Sequence, residues 1–521
     1  MRRRPLLQAA ACALGAGLAR AQSALPDERA LTVACGTDRW STDPQRFTFT
    51  LRTPHAQIAE TAVRPDERFE PAPLLFQRWQ VREGRYRVAL RPGVRGHDGS
   101  VFDSDAAIAA LRLVGDSRSD FLRIAPASFR RVDALNFEFT SADGSNLVIQ
   151  NMSHRASSLF VAGSARATKP QGTGPYRFVR YEPRRLLEVQ RHAGYWGAAP
   201  KQPRVLFRFV PDGQARMLAL AKGEVDVVAD VTPQMLLALP PGGAGPARLH
   251  VSRPTSYVAL LANIRGEPPY TTLADARVRR ALAHGVDREA LARVLFAGRG
   301  VPARGLLPDW MFGLGEHTRG HAFDPAAAAR LLDEAGWRRG DSPSGLRSRD
   351  GQPLRLKVVS AYPSASTVAP LPEMLEQMWR KLGIATEIVA VEDDQLYNER
   401  QLGAGAADLF IEHAGNPSLD PTFLLYNLFH GRSSWQPYRW IRPAAPQGAA
   451  FDAALDAARA DDDPARRIDA VRRAHRIVVD EAVVAIPLLL VPQFVLARPG
   501  VAVPMFEHRD WIDYGAVTLP G

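Results

Sequence analysis

Leu354-Arg355-Leu356-Lys357-Val358-Val359, then Pro370 to Leu382, then Gly383, then Ala385-Thr386-Glu387-Ile388-Val389-Ala390-Val391 is the stretch that decides the fold class. The first piece alternates apolar and polar side chains and reads as a strand. The second reads as a helix that Gly383 stops. The third is a strand again, and another is predicted at Ala407–Glu412. Strands that alternate with helices argue α/β with mixed sheets.

The same alternation extends outward on both sides. Upstream, Tyr257–Asn263 reads as a strand and Leu273–Leu295 as two helices. Asp324 caps a helix over Ala326–Ala335, with Pro325 first and Gly336 after. Downstream, Asp452–Ala460 and Asp463–Asp480 read as helices. Val483–Leu496 is apolar, broken by Pro487 and Pro492, and is read as core strands. Nearer the start, strands are predicted at Leu31–Cys35, Phe47–Leu51, Phe137–Thr140, Leu147–Gln150, Leu186–Gln190, Val205–Phe209 and Val225–Val228. Trp79–Arg82 and Tyr86–Leu90 read as a hairpin around Gly84. His55–Val63, Ala106–Val114 and Gln214–Ala221 read as helices, the second capped from Asp103-Ser104-Asp105. There is no internal repeat.

Composition removes several classes. The chain has 521 residues, 46% apolar and 23% charged, ordinary for a globular protein of several domains. Residues 1–21 read as an export signal: Arg2-Arg3-Arg4, an apolar run from Pro5 to Leu18, and Ala19-Arg20-Ala21 as the cleavage site. Arg3-Arg4-Pro5-Leu6-Leu7 also fits the twin-arginine pattern, so the general secretory and twin-arginine routes both stand. Setting aside the four leader arginines lowers the formal charge from +11 to +7. No block of five or six basic residues occurs, so nucleic acid is not expected as a partner. Cys35 is the single cysteine after the leader, read as a small buried strand residue. No G-x-S-x-G, H-E-x-x-H or P-loop occurs. No enzyme is expected, and no cofactor. His317 and His321 lie in a glycine-flanked loop and are read as loop residues.

Six segments, in order, carry a resemblance. They are Leu90-Arg91-Pro92-Gly93-Val94 through His97-Asp98-Gly99, Gly172-Thr173-Gly174-Pro175-Tyr176, Gly194-Tyr195-Trp196-Gly197, Gly223-Glu224-Val225-Asp226, Val278-Arg279-Arg280-Ala281-Leu282 with Val286-Asp287-Arg288, and Leu331-Leu332-Asp333-Glu334-Ala335-Gly336-Trp337. The chain resembles the extracytoplasmic solute-binding proteins of ABC importers, peptide/nickel class (family 5). From the residues themselves, Gly172 and Gly174 read as turn glycines. Arg279, Asp287 and Arg288 read as helix-packing or salt-bridge residues, and Gly336-Trp337 as a helix stop beside a core aromatic.

The resemblance implies a two-lobed periplasmic binding protein of the type II, large class, with an extra inserted domain in lobe I. After the signal peptide at 1–21, lobe I takes 22–65, 171–255 and 486–521. The inserted domain takes 66–170 and lobe II takes 256–485. Two lobes closing on a ligand need no catalysis. The implied partners are a small-molecule ligand and the membrane permease, with a monomeric, periplasmic receptor between them.

Peptide-binding members hold the peptide amino terminus with an aspartate just upstream of an acidic-Pro pair. Here Asp420-Pro421 fits the pair, but Asn416-Pro417 stands where that aspartate would be. The chain looks closer to the nickel-type branch, through Asp350–Arg355 and Glu392–Gln401. In that branch an aromatic wall, an arginine and a histidine hold a metal chelate. By position, Phe121 falls at the wall, Arg155 (with His154 beside it) at the carboxylate-binding arginine, and His430 at the metal histidine. His413 and Asn416 are further candidates at the cleft. A guanidinium suits an anionic ligand because it offers two parallel hydrogen bonds to a carboxylate. A neutral imidazole suits a metal. The ligand is therefore expected to be a peptide or a metal chelate. The alternative reading is a non-transport periplasmic peptide chaperone or ligand sensor on the same fold.

Overall fold

The computed structural model describes residues 29–38, 55–117, 122–154, 157–161, 164, 169–240, 247–265, 267–340, 345–360, 368–391, 403–416, 418–433, 436–444, 446–505 and 512–520. The leader, the strand predicted at Phe47–Leu51 and the segment Glu392–Gln401 lie outside them.

One eleven-stranded mixed sheet organises the molecule. In one half, Leu31–Cys35 runs parallel to Arg204–Phe209 and to Val227–Val228. Leu186–Arg191 and Tyr176–Glu182 continue that half antiparallel. In the other half, Arg355–Ser360 runs parallel to both Ala385–Ala390 and Leu409–Gly415. The stretch that opened the sequence reading is therefore one strand–helix–strand crossover, with the helix at Leu371–Lys381. Leu371, Leu375 and Trp379 bury its inner face.

Two long strands join the halves. Arg248–Ala262 pairs antiparallel with Ala485–Ala497 along almost its whole length. At one end Ala497 and Leu496 also pair with Val227 and Val228. At the other, Ser256–Ala262 pairs with Leu409–Gly415. Between these ends the register shifts at Val251/Pro254 and Pro254/Ser256. The crossing thus lies at 252–256 on one strand and 491–493 on the other. The boundary expected at 485/486 falls instead at the start of a strand that serves both halves. Pro487 and Pro492 do not break it. Pro492 faces Pro254 between the shifts and Pro487 faces Ala259 beside a third one. A residue with no N–H is tolerated where the ladder already lacks a bond.

The inserted region builds its own sheet, ordered Phe76–Arg82, Arg85–Leu90, Asn136–Thr140, Arg130–Arg131, and its own buried cluster around Phe76, Tyr86, Leu111 and Phe137. Its helix is longer than expected, Ser104–Ser117, and Asp103 Oδ1 accepts the Ala106 N–H at 3.0 Å. Two local expectations are corrected. Leu147–Gln150 is not a strand, because Val148–Asn151 forms a helical turn whose Val148 N–H donates to the Tyr86 hydroxyl. The helix at His55 ends by Ile58, because Val63–Pro65 leaves to pair with Pro71–Pro73.

The joint between insert and sheet gathers three of the sequence segments. Glu60, on the segment entering the insert, accepts from Thr173 Oγ1, Tyr195 Oη and Trp196 Nε1 at 2.8–2.9 Å. His97 of the insert clasps the segment leaving it: one ring nitrogen lies 2.9 Å from the Gly174 carbonyl, and Nδ1 accepts the Gly172 N–H at 3.3 Å. A Cβ on Gly172 would sit 2.1 Å from the Ile58 carbonyl oxygen, and one on Gly174 2.6 Å from that of Gln57. These glycines serve close backbone approach, not a turn of positive φ. Arg279 and Arg288 are buried and spend their guanidiniums on carbonyls, including those of Ala482 and Pro487. Asp287 caps the helix Arg288–Phe296. Trp337 is buried behind Gly336, whose φ is +84°.

Candidate functional site

The hinge pair positions the cleft. At the crossing the Ser252 hydroxyl accepts the Gln493 N–H at 2.8 Å and the Ser256 hydroxyl donates to the Val491 carbonyl at 3.2 Å. Side chains replace missing ladder bonds there, so the backbone is satisfied without a rigid register. Leu409–Gly415 ends beside this point, with Gly415 opposite Ser256. Its first three residues are buried, and Glu412, His413, Ala414 and Gly415 emerge to partial exposure. His413 stands opposite Val258.

The chain then turns through the loop where a carboxylate was missed. Asn416 is buried and its amide donates to the Ser418 and Asp420 carbonyls at 3.0 and 2.9 Å. Its Oδ1 has no hydrogen-bond partner among the described residues. Asp420 is committed as well. One carboxylate oxygen accepts from the Thr422 N–H and hydroxyl at 2.7 and 2.6 Å, and the other from Asn151 at 3.4 Å. The acidic-Pro pair thus builds the start of the helix Phe423–Phe429.

This loop docks on the insert. The Leu419 N–H lies 3.2 Å from both the Gln150 carbonyl and the Ser153 hydroxyl. His154 is the next residue, buried, in a turn closed by its N–H to Asn151 and its carbonyl to Ser157. The structure therefore brings the turn of His154 and the loop of Asn416 to one seam, and His413 onto the strand that feeds it. Phe121 and Arg155 lie outside the described residues.

His430, expected at a metal, lies at the C-terminal end of the helix Phe423–Phe429 that this loop begins. The residue is fully buried at the end of the helix Phe423–Phe429. Its ring stacks on Tyr426 at 4.2 Å. Its Nδ1 accepts the Arg432 N–H at 3.0 Å, so Nε2 carries the proton, 3.3 Å from Asp456 and 3.8 Å from Asp452. Burial lowers its pKa, against the pull of those two carboxylates. Among the described residues Nε2 makes no hydrogen bond of good geometry to either carboxylate. Among the described residues no group of three or more His, Cys, Asp or Glu stands ready to hold a metal.

Sequence reasoning missed the aromatic–arginine contacts along the seam. Tyr426 lies between the guanidiniums of Arg123 and Arg459, 3.8 and 4.4 Å from its ring centre. Phe69 of the insert meets Trp310 and Phe312 edge-on at 5.7 and 5.2 Å. Arg253, at the hinge, covers Trp310 at 3.9 Å. Phe423 is buried in the insert's own cluster. These partners stand between about thirty and three hundred residues apart in sequence, and no spacing rule connects them.

Comparison with known proteins agrees with this architecture. The family model described as "Bacterial extracellular solute-binding proteins, family 5 Middle" matches residues 70–436. The chain is 23% identical over 464 residues to the dipeptide-binding protein of Escherichia coli, covering 82% of each. It is 26% identical over 328 residues to the glutathione-binding protein GsiB of Pectobacterium atrosepticum, a match spanning 58% of that protein. Among solved structures, NikA from Brucella suis in complex with Fe(III)-EDTA superposes with a TM-score of 0.83 at 22% identity, over 95% of this chain and all of that one.

Proposed function

Since the chain belongs to the family 5 bacterial extracellular solute-binding proteins, we propose that it captures a small, carboxylate-bearing ligand, a peptide or a metal chelate, between its lobes. The family's members are substrate-binding components of ABC importers, and this chain is a receptor of that kind rather than an enzyme. The mature protein is read as periplasmic, beginning at Gln22 after cleavage of the leader, and as a monomer that hands its ligand to the permease. Closure of the lobes is the whole mechanism. Ligand contacts made from both sides stabilise the closed state by their difference in affinity for the two states.

The observation that carries the reading is the pair of strands crossing between the halves at a point of broken register. Phe121, Arg155, His154, His413 and Asn416 are proposed as the ligand's surroundings, with Arg155 as the carboxylate fork. The chelate half of the proposal draws support from the likeness to NikA, and the peptide half from the likeness to the dipeptide-binding protein. The neutral, inward-turned amide of Asn416 weakens the case for a peptide held by its amino terminus.

A thermal-shift screen of the ligand-stripped mature chain tests this. Nickel with and without free histidine, Fe(III)-EDTA, and di- to pentapeptides are the probes. A ligand at about 100 times its Kd adds roughly 2.7 kcal/mol to unfolding. A shift with metal plus chelator alone selects the chelate, and one with peptides alone selects the peptide. No shift with any probe overturns both. Arg155→Ala should lose the shift, and binding equal to that of the parent protein removes Arg155 from the site.

A further inference from the structure

The solvent face of the inserted domain's sheet is rich in arginine. Buried Tyr86 and Val88 point inward, so Arg85 and Arg87 point outward on the same strand. The register puts Gln80 opposite Arg87, Arg82 opposite Arg85 and Arg78 opposite Ala89. On the other side Thr140 faces Arg85, and Glu138 faces both Arg87 and Arg130. Arg78, Arg82, Arg85, Arg87 and Arg130 therefore share one face with a single outward carboxylate, Glu138. That carboxylate is already shared by Arg87 and Arg130. Glu83, at the hairpin tip, stands 3.8 Å from Arg82. No carboxylate pairs with Arg78 or Arg85 among the described residues.

Stability does not explain this arrangement. Like charges directly opposite each other across a strand pair destabilise the sheet, and Arg82 and Arg85 are placed so. The side chains also reach solvent, with 86% of Arg82 and 68% of Arg87 exposed. Four strands at about 4.8 Å spacing make the face broad. Its one outward apolar side chain is Ala89, which is only partly exposed. A protein interface is expected to carry a desolvated aromatic or aliphatic centre, and this face has none. Five guanidiniums against two carboxylates, Glu138 and Glu83, leave a net positive face without an apolar anchor, which complements a plane of phosphates.

We infer that this face, Arg78, Arg82, Arg85, Arg87 and Arg130 on the inserted domain, docks on the anionic phospholipid headgroups of a membrane. Such contact holds the molecule loosely by charge alone and confines its search for a membrane partner to a surface. It does not depend on which ligand fills the cleft.

Cosedimentation of the mature chain with vesicles tests it, using phosphatidylcholine with and without phosphatidylglycerol. Binding is expected only with phosphatidylglycerol and should fall as ionic strength rises to about 0.15 M, where the Debye length is near 8 Å. The triple variant Arg78→Gln, Arg82→Gln, Arg85→Gln should bind more weakly, by roughly five-fold per arginine removed. Arg293→Gln, Arg330→Gln, Arg338→Gln removes the same charge from exposed positions elsewhere and should change binding little. An unaltered melting temperature shows that each variant is folded. Absence of salt-sensitive binding by the parent protein overturns the inference. So does an equal loss in both triple variants, which would assign the effect to net charge. Binding of an acidic protein with no binding of vesicles overturns it also.

Discussion

Glu60 and His97 hold the same joint and respond to pH in opposite senses. Burial pushes the Glu60 carboxyl up to about 7, against its hydrogen bonds from Trp196, Tyr195 and Thr173. The unfolded chain releases this proton near the ordinary value of 4.5. Between those values the native state holds more protons than the unfolded one, so stability falls as pH rises through that window. The cost at pH 8 is on the order of 3 kcal/mol. Burial moves His97 the other way, down to about 4. Here the unfolded chain takes up the proton first, and stability is lost as pH falls from about 6.5 toward 4. Protonation at Nδ1 would also break the bond from the Gly172 N–H. Urea unfolding of His97→Gln should show a shallower loss of stability below pH 6.5, and that of Glu60→Gln a shallower loss between pH 4.5 and 7. Slopes equal to the parent's in both variants would mean that neither group titrates across its window. Neither role was legible from sequence. Glu60 is one unremarked acid among many, and its donors stand more than a hundred residues away.

Elements with local causes were legible, and elements set by distant partners were not. Asp103 and Asp324 each announce a helix, and each accepts a hydrogen bond from a backbone N–H in the first turn, as does Asp287, which sequence alone suggested as a packing or salt-bridge residue. The long strand Ala485–Ala497 was hidden by its two prolines, because the bulges that accommodate them belong to the pairing with Arg248–Ala262. The segment Gly172–Tyr176 was recognisable as a motif, but its reason was not. The chain passes so close to Ile58 there that no side chain fits. Gly172→Ala should therefore destabilise by about 3 kcal/mol or more, since the obstacle is a backbone oxygen that cannot rotate away. Gly93→Ala is the contrast. An added Cβ there meets nothing within 4 Å, and φ is +78°, so only the left-handed backbone cost of roughly 1 kcal/mol applies. Denaturant midpoints of the two variants compare steric and conformational costs directly. Equal losses would mean that the joint around Ile58 relaxes to admit the methyl group.

At the scale of the whole molecule, the inserted domain touches both halves of the sheet. It is tied to the first through Glu60 and His97 and to the second through a seam centred on Arg459. Arg459 forms an ion pair with Asp143 of the insert and covers Tyr426, and its carbonyl accepts the Asn146 N–H at 3.0 Å. The Asn146 amide reaches the Ala460 carbonyl and Asp462 at 3.0 and 2.7 Å. Burial acts to raise the Asp143 carboxyl, but Arg459 and Arg123 outweigh it and hold the group below its ordinary value. If lobe II moves against the rest when the cleft opens, these contacts form only on closure. They then set how much of the ligand-free protein is already competent to bind. A receptor whose competent state is fractionally populated binds with its affinity reduced by that fraction. Arg459→Ala removes a charge-assisted bond worth on the order of 1.5–3 kcal/mol. Apparent Kd should rise roughly ten-fold or more, and the ligand-free radius of gyration by small-angle scattering should increase. A lower melting temperature with unchanged Kd and radius would give the opposite result. The seam would then be permanent, and insert and lobe II would move as one body against the first half of the sheet.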